Sequence, residues 1–422
     1  MRFESFNEPS IIMRYRITAP SGFHTVIDLP SSKSISNRAL ILHALSQGKY
    51  QPENLSDCND TQAMLKALEE KSAYIDIHAS GTAMRFLTAY LSLKPGIWEI
   101  TGTERMQQRP IKILVEALRE LRAKIEYIGN EGFPPLRICG TLLQGTDITL
   151  SGNVSSQYIS ALLMIAPILR NGLTLHLTGE IISRPYINLT LQLMKDFGAK
   201  VSWQSEDCIK VYSGEYRRDV QLRVESDWSA ASYWYQMTAL SNADASVQLN
   251  GLHPNSYQGD SRGAKVFEKL GVYTEFNTNG AKLIKKATNI SRIDEDFIDI
   301  PDLAQTFVVT CALLDIPFRF TGLQTLKIKE TDRIDALICE LRKIGYVLRS
   351  EQDSILIWDG ERCEQEKAPV ISTYEDHRMA MAFAPASFIV PEIMIAEPSV
   401  VSKSYPNYWN DLQHAGFSIT EE

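Results

Sequence analysis

The sequence predicts an α/β protein of two domains, because one block of sequence recurs six times along its 422 residues. Each copy opens with Ser or Asp and continues into an apolar stretch with helical periodicity. Short strand-like runs follow, so a unit reads strand, helix, strand, helix, strand, strand, an alternation typical of α/β proteins. Six units exceed one ordinary domain and divide into two domains of three units each. The copies begin at Ser32, Ser80, Ser155, Asp227, Asp302 and Asp376.

The helices and strands of each unit follow from local sequence. Ser and Asp at the six starts favour helix N-caps, since their side-chain oxygens accept unpaired backbone N–H groups. Second helices are predicted in RPIKILVEALRELRAKI from Arg109, RPYINLTLQLMKDFGAKV from Arg184 and KETDRIDALICELRKIGYV from Lys329. Pairs of strand-like runs close the units, for example VSWQ and CIKVYSG after Val201.

The spacing of the copies predicts a truncated first unit. Successive starts lie 72 to 75 residues apart from Ser80 onward, but only 48 separate Ser32 from Ser80. The segment KSAYIDIHA alone joins the second helix of this unit, TQAMLKALEE, to Ser80. We therefore expect the first unit to lack its closing pair of strands.

The domain boundary is expected in the polar stretch SGEYRRDVQLRVES, just before Asp227. The first domain would span residues 32–225. The second would combine residues 226–422 with residues 1–31, because two rings of three units require the chain to cross twice. Residues 1–12 precede the predicted first strand, MRYRITAP from Met13, and are expected to form an extension.

Composition argues against several classes of function. The chain is 44% hydrophobic and 22% charged, with no apolar run of bilayer length and no signal peptide, so no membrane partner is expected. A net charge of −8 disfavours nucleic acid as a partner. The six cysteines form no CxxC pair, which favours a reduced, cytoplasmic setting without structural zinc. Neither a P-loop nor a GxGxxG fingerprint is present.

The helix starts predict an anion-binding site. A helix N-terminus presents free N–H groups and roughly half a positive charge. Gly81 would let a ligand approach the backbone closely, and Arg109 before Pro110 would be repelled by a helix start unless an anion lay between them. A basic cleft can attract small anions even on an acidic protein. The cations gathered at these starts are Lys33, Arg38, Arg109, Lys329, Arg333, Arg378 and Lys403.

Carboxylates and hydroxyls complete the predicted site. Asp302 and Glu330 are candidates for acid–base chemistry, and Glu330 and Arg333 are expected to share a helical face. His377 stands between an acid and a base, while Ser155, Ser156, Gln157, Ser183 and Tyr186 suit a polyhydroxylated ligand. The alternatives for these residues are helix caps, a surface salt-bridge ladder and a structural histidine. Thiol catalysis is not favoured, because no cysteine is expected at any of the six helix starts.

Eight motifs together resemble the family of 5-enolpyruvylshikimate-3-phosphate synthases. They keep the family's order from about Met13 to the end of the chain: LPSSKSISNRALIL, SGTAMRFLTA, RPIKILVEALR, SSQYISALLM, SRPYINLTL, IPDLAQT, IKETDR and EDHRMAMAF. The resemblance implies two domains of three βαβαββ units each, an inverse α/β barrel, with the active site in the cleft between them. It also implies a cytoplasmic monomer, and a target of the inhibitor glyphosate.

The reaction that the resemblance implies transfers the enolpyruvyl group of phosphoenolpyruvate to the 5-hydroxyl of shikimate-3-phosphate and releases phosphate. This step leads toward chorismate and the aromatic amino acids. It proceeds by addition and elimination without a metal or an organic cofactor, and the two anionic substrates are the expected partners.

The resemblance implies a role for each site residue, with shikimate-3-phosphate mainly on the first domain. Asp302 would accept the 5-hydroxyl proton and Glu330 would protonate the methylene carbon, with Lys33 and His377 in support. Shikimate-3-phosphate would contact Lys33, Ser34, Arg38, Ser155, Ser156, Gln157, Ser183, Tyr186, Asp302, Thr325 and Lys329. Phosphoenolpyruvate would contact Lys33, Gly81, Arg109, Gln157, Arg333, Arg378 and Lys403.

The chain departs from the family pattern near both substrates. The family's Asn-Ala-Gly-Thr is Ala79-Ser80-Gly81-Thr82 here, which removes a side-chain amide, and a later Pro is Phe86. The family Asn before KETDR is Thr325. Three alternatives stay open: an enolpyruvyl transferase acting on UDP-N-acetylglucosamine, an RNA 3′-phosphate cyclase, and a non-catalytic anion-binding relative.

Overall fold

The computed structural model describes residues 13–70, 72–241 and 245–422, so the extension expected at 1–12 lies outside the described residues. The strands are β1 (Arg14–Thr18), β2 (His24–Asp28), β3 (Tyr74–Asp76), β4 (Gly96–Thr101), β5 (Lys124–Tyr127), β6 (Leu136–Gly140), β7 (Asp147–Ser151), β8 (Leu173–Thr178), β9 (Val201–Trp203), β10 (Cys208–Val211), β11 (Ser246–Asn250), β12 (Val272–Asn277), β13 (Gly280–Lys285), β14 (Ile293–Asp296), β15 (Phe318–Thr321), β16 (Arg349–Glu351), β17 (Ile355–Trp358), β18 (Val370–Ile371), β19 (Met394–Ala396) and β20 (Ser418–Glu421).

The α-helices are α1 (Lys33–Ser46), α2 (Asn59–Glu69), α3 (Gly81–Leu93), α4 (Glu104–Gln107), α5 (Lys112–Glu120), α6 (Ser156–Ile165), α7 (Arg184–Asp196), α8 (Trp228–Leu240), α9 (Gly263–Lys269), α10 (Ala304–Leu313), α11 (Arg333–Lys343), α12 (His377–Phe383) and α13 (Tyr408–His414). Short 3-10 turns lie at Ala166–Ile168, Gly259–Arg262, Pro301–Leu303, Gln324–Ile328, Ala384–Phe388 and Pro398–Lys403. None of the described helices is long and apolar enough to span a bilayer.

Each complete unit folds into one four-stranded sheet with a constant strand order of first, second, fourth, third. The order is β3-β4-β6-β5 in the second unit, β7-β8-β10-β9 in the third and β14-β15-β17-β16 in the fifth. The first two strands are parallel and are connected through a helix, as a parallel pair requires, while the last two close an antiparallel hairpin. The alternation predicted from the sequence is therefore the pattern of the fold.

The first two strands of the chain complete sheets that are formed mainly by its second half. β2 pairs in parallel with β11 and takes the first place in the sheet β2-β11-β13-β12. β1 lies antiparallel between β19 and β20, in the place of the fourth strand of the sixth unit. An antiparallel bridge between Ser31 and Ser226 marks the region where the chain leaves and re-enters this half.

The truncation of the first unit is confirmed within the described residues. α1 and α2 lead directly to β3, which belongs to the sheet of the second unit. In place of a closing sheet, the segment after α1 bonds to the segment before Ser226. The N–H of Lys49 donates to the carbonyl of Arg218 at 2.7 Å, and the N–H of Glu53 donates to Leu222 at 2.8 Å.

Two hydrophobic clusters form the core. One gathers residues from Ile35 to Val224, and the other combines Ile17, Phe23, Ile27 and Leu29 with residues between Trp228 and Phe417. The first helices of the units are buried almost all round, including every residue of α10 and α12, as expected for helices without a polar face. The second helices, such as α5 and α7, bury one side only. The first helices are called the inner helices below, and their starts supply part of the polar lining of the cleft.

Candidate active site

Five of the six predicted helix caps are confirmed, and the sixth is wrong. Ser32, Ser80, Ser155, Asp227 and Asp376 each accept a backbone N–H of the first turn of their helices. Asp302 lies inside the 3-10 turn Pro301–Leu303, and α10 begins after it without a side-chain cap. The physical reason is that the Asp302 carboxylate is bound by cations of three other segments, which leaves it facing the cleft.

The predicted helical face shared by Glu330 and Arg333 is also wrong. Asp332 accepts from the N–H groups of Ile334 and Asp335 and starts α11 at Arg333, so Glu330 precedes the helix. The two side chains nevertheless meet, with Arg333 Nη2 at 3.0 Å from Glu330 Oε2.

One cleft brings together nearly all of the predicted site residues. It contains about 1070 Å³ of space free of protein atoms, part of it continuous with solvent. Lys403 lines an adjoining smaller cavity and reaches the same site, since its Nζ lies 2.9 Å from Glu330 Oε1. The predicted residues that line the cleft are Lys33, Ser34, Arg38, Gly81, Arg109, Ser155, Ser156, Gln157, Ser183, Tyr186, Asp302, Thr325, Lys329, Glu330, Arg333, His377 and Arg378.

Asp302 is held by cations on both sides of its carboxylate. Arg378 Nη2 lies 2.8 Å from Oδ2, while Lys329 Nζ and Arg333 Nη1 each lie 3.5 Å from Oδ1. Burial raises the pKa of Asp302, but the charges of Arg378, Lys329 and Arg333 outweigh it and hold this pKa below its ordinary value. Tyr186 adds a hydroxyl at 3.4 Å from Oδ2. Asp302 is therefore ionised near neutral pH.

Glu330 occupies a similar environment on the other side of Arg333. Its carboxylate contacts Lys403, Arg333 and, at 3.8 Å, Nη1 of Arg109. Burial raises the pKa of Glu330, and the charges of Lys403, Arg333 and Arg109 lower it by more, so the pKa lies well below its ordinary value. One guanidinium, that of Arg333, thus separates the two carboxylates that the sequence singled out.

Arg333 is itself fixed by a buried carboxylate. Its Nε and Nη2 donate to Asp376 Oδ2 at 2.6 Å and Oδ1 at 3.2 Å, and both side chains are almost fully buried. The bidentate pair has the geometry that favours Arg over Lys. The same Asp376 caps α12 through the N–H of Arg378, so it orients two of the site's arginines at once.

Lys33 and His377 lie at the centre of the cleft. Lys33 Nζ is 3.3 Å from Asp60 Oδ2, and this contact helps to raise the pKa of Lys33 against the effect of burial. Burial and the charges of Lys33 and Arg378 lower the pKa of His377 well below its ordinary value, so the imidazole is neutral. Neither of its ring nitrogens makes a hydrogen bond with the described residues.

Arg38 is a buried cation bound by neutral groups. Its guanidinium donates to Thr190 Oγ1 at 2.7 Å, to the carbonyl of Ser34 at 2.9 Å and to Ser160 Oγ at 3.3 Å. Burial lowers the pKa of Arg38 to about 10. A buried charge without a carboxylate partner is unfavourable, and an anion in the cleft would compensate it.

Other polar groups are positioned around the cleft without strong partners. Gln157 Nε2 donates to Thr82 Oγ1 at 3.2 Å, and Ser183 precedes α7 in a left-handed conformation without capping it. Thr325 Oγ1 is buried and makes no hydrogen bond within the described residues. These groups are available to a ligand that carries hydroxyls.

Sequence reasoning did not include Asp60 and Arg85 among the site residues, although both line the cleft. Asp60 belongs to α2 of the truncated unit, where no motif marks it, and only its contact with Lys33 reveals it. Arg85 lies one turn after Gly81 and donates to the Gly81 carbonyl at 3.0 Å. Burial, followed by the charge of Arg109, lowers the pKa of Arg85 to about 10. In the sequence, the spacing of one helical turn between Gly81 and Arg85 indicates that Arg85 lies near the site.

The pKa shifts predict an acid-sensitive fold. The folded-state pKa values of Asp302 and Glu330 are depressed, so their stabilising contribution is present above the unfolded values, about 3.9 and 4.3. It is lost as the pH falls below that range toward the folded values. We expect the free energy of unfolding to decrease from about pH 5 to pH 3, measured by urea unfolding. Asp302→Asn should be less stable than the wild type at pH 7, and the difference should narrow toward pH 3. A constant difference would contradict the assignment.

The fold and the cleft define a class of protein: an α/β repeat protein with a cleft at its helix starts that is lined by cations and contains two carboxylates. The family described as EPSP synthase (3-phosphoshikimate 1-carboxyvinyltransferase) has a sequence model that matches residues 17–71 and 66–412. The chain belongs to this family. The curated 3-phosphoshikimate 1-carboxyvinyltransferase of Bacteroides fragilis is 68% identical over 407 residues, covering 96% of this chain and 99% of that protein. A protein of the same name from Vibrio cholerae is 36% identical over 411 residues, covering 91% and 95%.

Solved structures confirm the two-domain inverse α/β fold. An EPSP synthase from Acinetobacter baumannii superposes with a TM-score of 0.78 at 22% identity, covering 97% of this chain and all of that one. The enolpyruvyl transferase NikO from Streptomyces tendae superposes with a TM-score of 0.74 at 13% identity, covering 97% and 99%. At these identities the likeness concerns the fold.

Proposed function

We propose that the cleft transfers the enolpyruvyl group of phosphoenolpyruvate to the 5-hydroxyl of shikimate-3-phosphate, with Asp302 and Glu330 as the proton-transfer pair. The chain is a transferase of the EPSP synthase family, acting in the shikimate pathway of aromatic amino acid biosynthesis. The observation that carries the residue assignment is the position of the two carboxylates on either side of Arg333, within one cleft lined by cations.

The roles proposed for the cations follow from the partners they lack or share. Arg38, which has no carboxylate partner among the described residues, suits the phosphate of shikimate-3-phosphate beside Ser155, Ser156 and Ser183. Arg333 lies between the two carboxylates and Arg378 contacts Asp302, and both arginines would hold the carboxylate of phosphoenolpyruvate. Arg109 and Lys403 meet at Glu330 and would hold its phosphate, with Gly81 giving access to the backbone. The remaining predicted contacts are Lys33, Ser34, Gln157, Tyr186, Thr325 and Lys329.

Substrate binding would raise the pKa values of Asp302 and Glu330 toward those that proton transfer requires. The protein's own cations keep the pKa values of Asp302 and Glu330 low, which is unfavourable for a base or an acid. When anionic substrates pair with Arg378, Lys403 and Arg109, those cations no longer lower the pKa values as strongly. Asp302 then becomes basic enough to take the 5-hydroxyl proton, and Glu330 can carry a proton to the methylene carbon. The neutral His377 would support this transfer without adding charge.

The decisive assay measures phosphate release from phosphoenolpyruvate with shikimate-3-phosphate, with UDP-N-acetylglucosamine in a parallel reaction. We expect release with shikimate-3-phosphate alone. Release with the nucleotide sugar alone would favour the related transferase, and no release with either would favour the binding-only relative.

Gly81→Ala tests the phosphoenolpyruvate subsite. A Cβ at Gly81 would lie 2.8 Å from Nη1 of both Arg85 and Arg109, so these guanidinium groups must move. We expect a KM for phosphoenolpyruvate raised by about tenfold or more, because a small misplacement of binding groups lowers catalytic efficiency strongly. Bulky anionic inhibitors should also bind less well. An unchanged KM and inhibitor profile would argue against placing Gly81 in this subsite.

The domain limits, the monomeric state and the cytoplasmic location remain proposals. The two hydrophobic clusters support a first domain of residues 32–225 and a second of 226–422 with the N-terminal strands. The six free cysteines favour a reducing compartment. Size-exclusion chromatography with light scattering would test the monomer.

A further inference from the structure

The segment that carries Glu330 is weakly held by its own backbone. Residues 329–331 form a bend between the 3-10 turn Gln324–Ile328 and α11. Within the described parts of the chain, no backbone–backbone hydrogen bond outside the helices and strands involves these three residues. The position of Glu330 therefore depends on side chains that reach this bend.

Arg105 reaches the bend from the first half of the chain. It is exposed on the short helix α4, and its Nε donates to the backbone carbonyl of Glu330 at 3.0 Å. The helix is itself well fixed, because Thr103 caps it at Met106 and the N–H of Arg109 donates back to the carbonyl of Met106. The same segment thus brings Arg105 to the Glu330 main chain and Arg109 to the Glu330 carboxylate.

We propose that Arg105 is a positioning residue that anchors the main chain of Glu330 across the cleft and so aims its carboxyl group at the substrates. The inference rests on the proton-transfer role proposed for Glu330. An exposed hydrogen bond of this kind contributes little to folding, since water competes for both groups. A displacement of a catalytic group by about 1 Å can nevertheless lower the rate by roughly 100-fold. Loss of Arg105 should therefore affect turnover much more than stability.

The test compares Arg105→Ala with a matched control. In Arg218→Ala the lost bond is of the same type, because the exposed Arg218 donates its Nε to the carbonyl of Gln47 at 3.2 Å, away from the cleft. We expect kcat to fall at least about tenfold in Arg105→Ala, with the KM for shikimate-3-phosphate and the melting temperature close to those of the control. Arg105→Lys, which can still donate, should recover part of the loss.

Amide hydrogen exchange tests the contact between Arg105 and the Glu330 carbonyl independently of activity. The amides of Ile334, Asp335 and Ala336 bond to Asp332 directly after the bend, so they should exchange faster in Arg105→Ala than in Arg218→Ala, both alone and with saturating shikimate-3-phosphate. Equal exchange in the two variants, or equal kcat, would overturn the inference. Glu330→Gln is assayed in parallel. If that variant keeps its turnover, the acid role proposed for Glu330 fails, while the exchange result still decides whether Arg105 anchors the bend.

Discussion

Glu330→Gln is expected to lower turnover by at least about 100-fold, the usual effect of losing a proton-transfer group. Glutamine keeps the size of glutamate and can still accept hydrogen bonds from Lys403 and Arg333, but it cannot exchange a proton. Loss of the negative charge also leaves these cations free for phosphoenolpyruvate, so its binding should be unchanged or tighter. Steady-state phosphate release gives kcat, and titration calorimetry gives the dissociation constants of phosphoenolpyruvate and shikimate-3-phosphate.

Glu295→Gln is the matched control for this change. Glu295 is also a nearly buried glutamate with basic partners, Arg262 at 2.6 Å and Lys269 at 2.5 Å. It lies on β14, away from the cleft, so its substitution should leave kcat near the wild-type value. Wild-type turnover in Glu330→Gln would refute the acid role. An equal loss of kcat in Glu330→Gln and Glu295→Gln would mean that the substitutions disturb the fold rather than the chemistry.

The fold and most of the site could be predicted because their signals are local and repeated. Each unit carries its own cap and helical periodicity, and the truncated unit is visible as a short interval between starts. The motif residues at the inner helix starts meet in one cleft because those helices begin at the same place in each unit. Gly81, Ser156 and Arg378 are examples of such positions.

The wrong or missing predictions concern contacts between side chains far apart in the chain, and one competition between neighbouring helix caps. The capping preference of Asp302 is a local signal, and the charges of Lys329, Arg333 and Arg378 overrode it. Asp332 is a better cap than the residues before it, so Glu330 was left outside α11. This competition could have been recognised from the sequence, because Asp335 follows three positions later in the acidic first turn. The pairing of Asp60 with Lys33 has no comparable local signal.

The buried pair of Arg333 and Asp376 predicts the largest loss of stability. Arg333→Met keeps an apolar stem of similar length but leaves Asp376, which is fully buried, without its bidentate partner. Removing one member of a buried pair costs about 3–5 kcal/mol, because the remaining charge stays out of water. Glu330 and Asp302 would lose a compensating charge at the same time, so the urea midpoint should fall clearly at neutral pH.

A surface arginine provides the comparison for Arg333. Arg292 contacts Asp294 at 2.9 Å and Asp359 at 2.8 Å, with all three side chains substantially exposed. Arg292→Met should cost no more than about 1 kcal/mol, because solvent screens such pairs. The urea midpoint of Arg333→Lys should lie between those of the two methionine variants, because lysine keeps the charge but cannot form the bidentate contact with Asp376. Similar urea midpoints for Arg333→Met and Arg292→Met would show that Asp376 is stabilised by other groups. The arginine would then serve substrate binding rather than the fold.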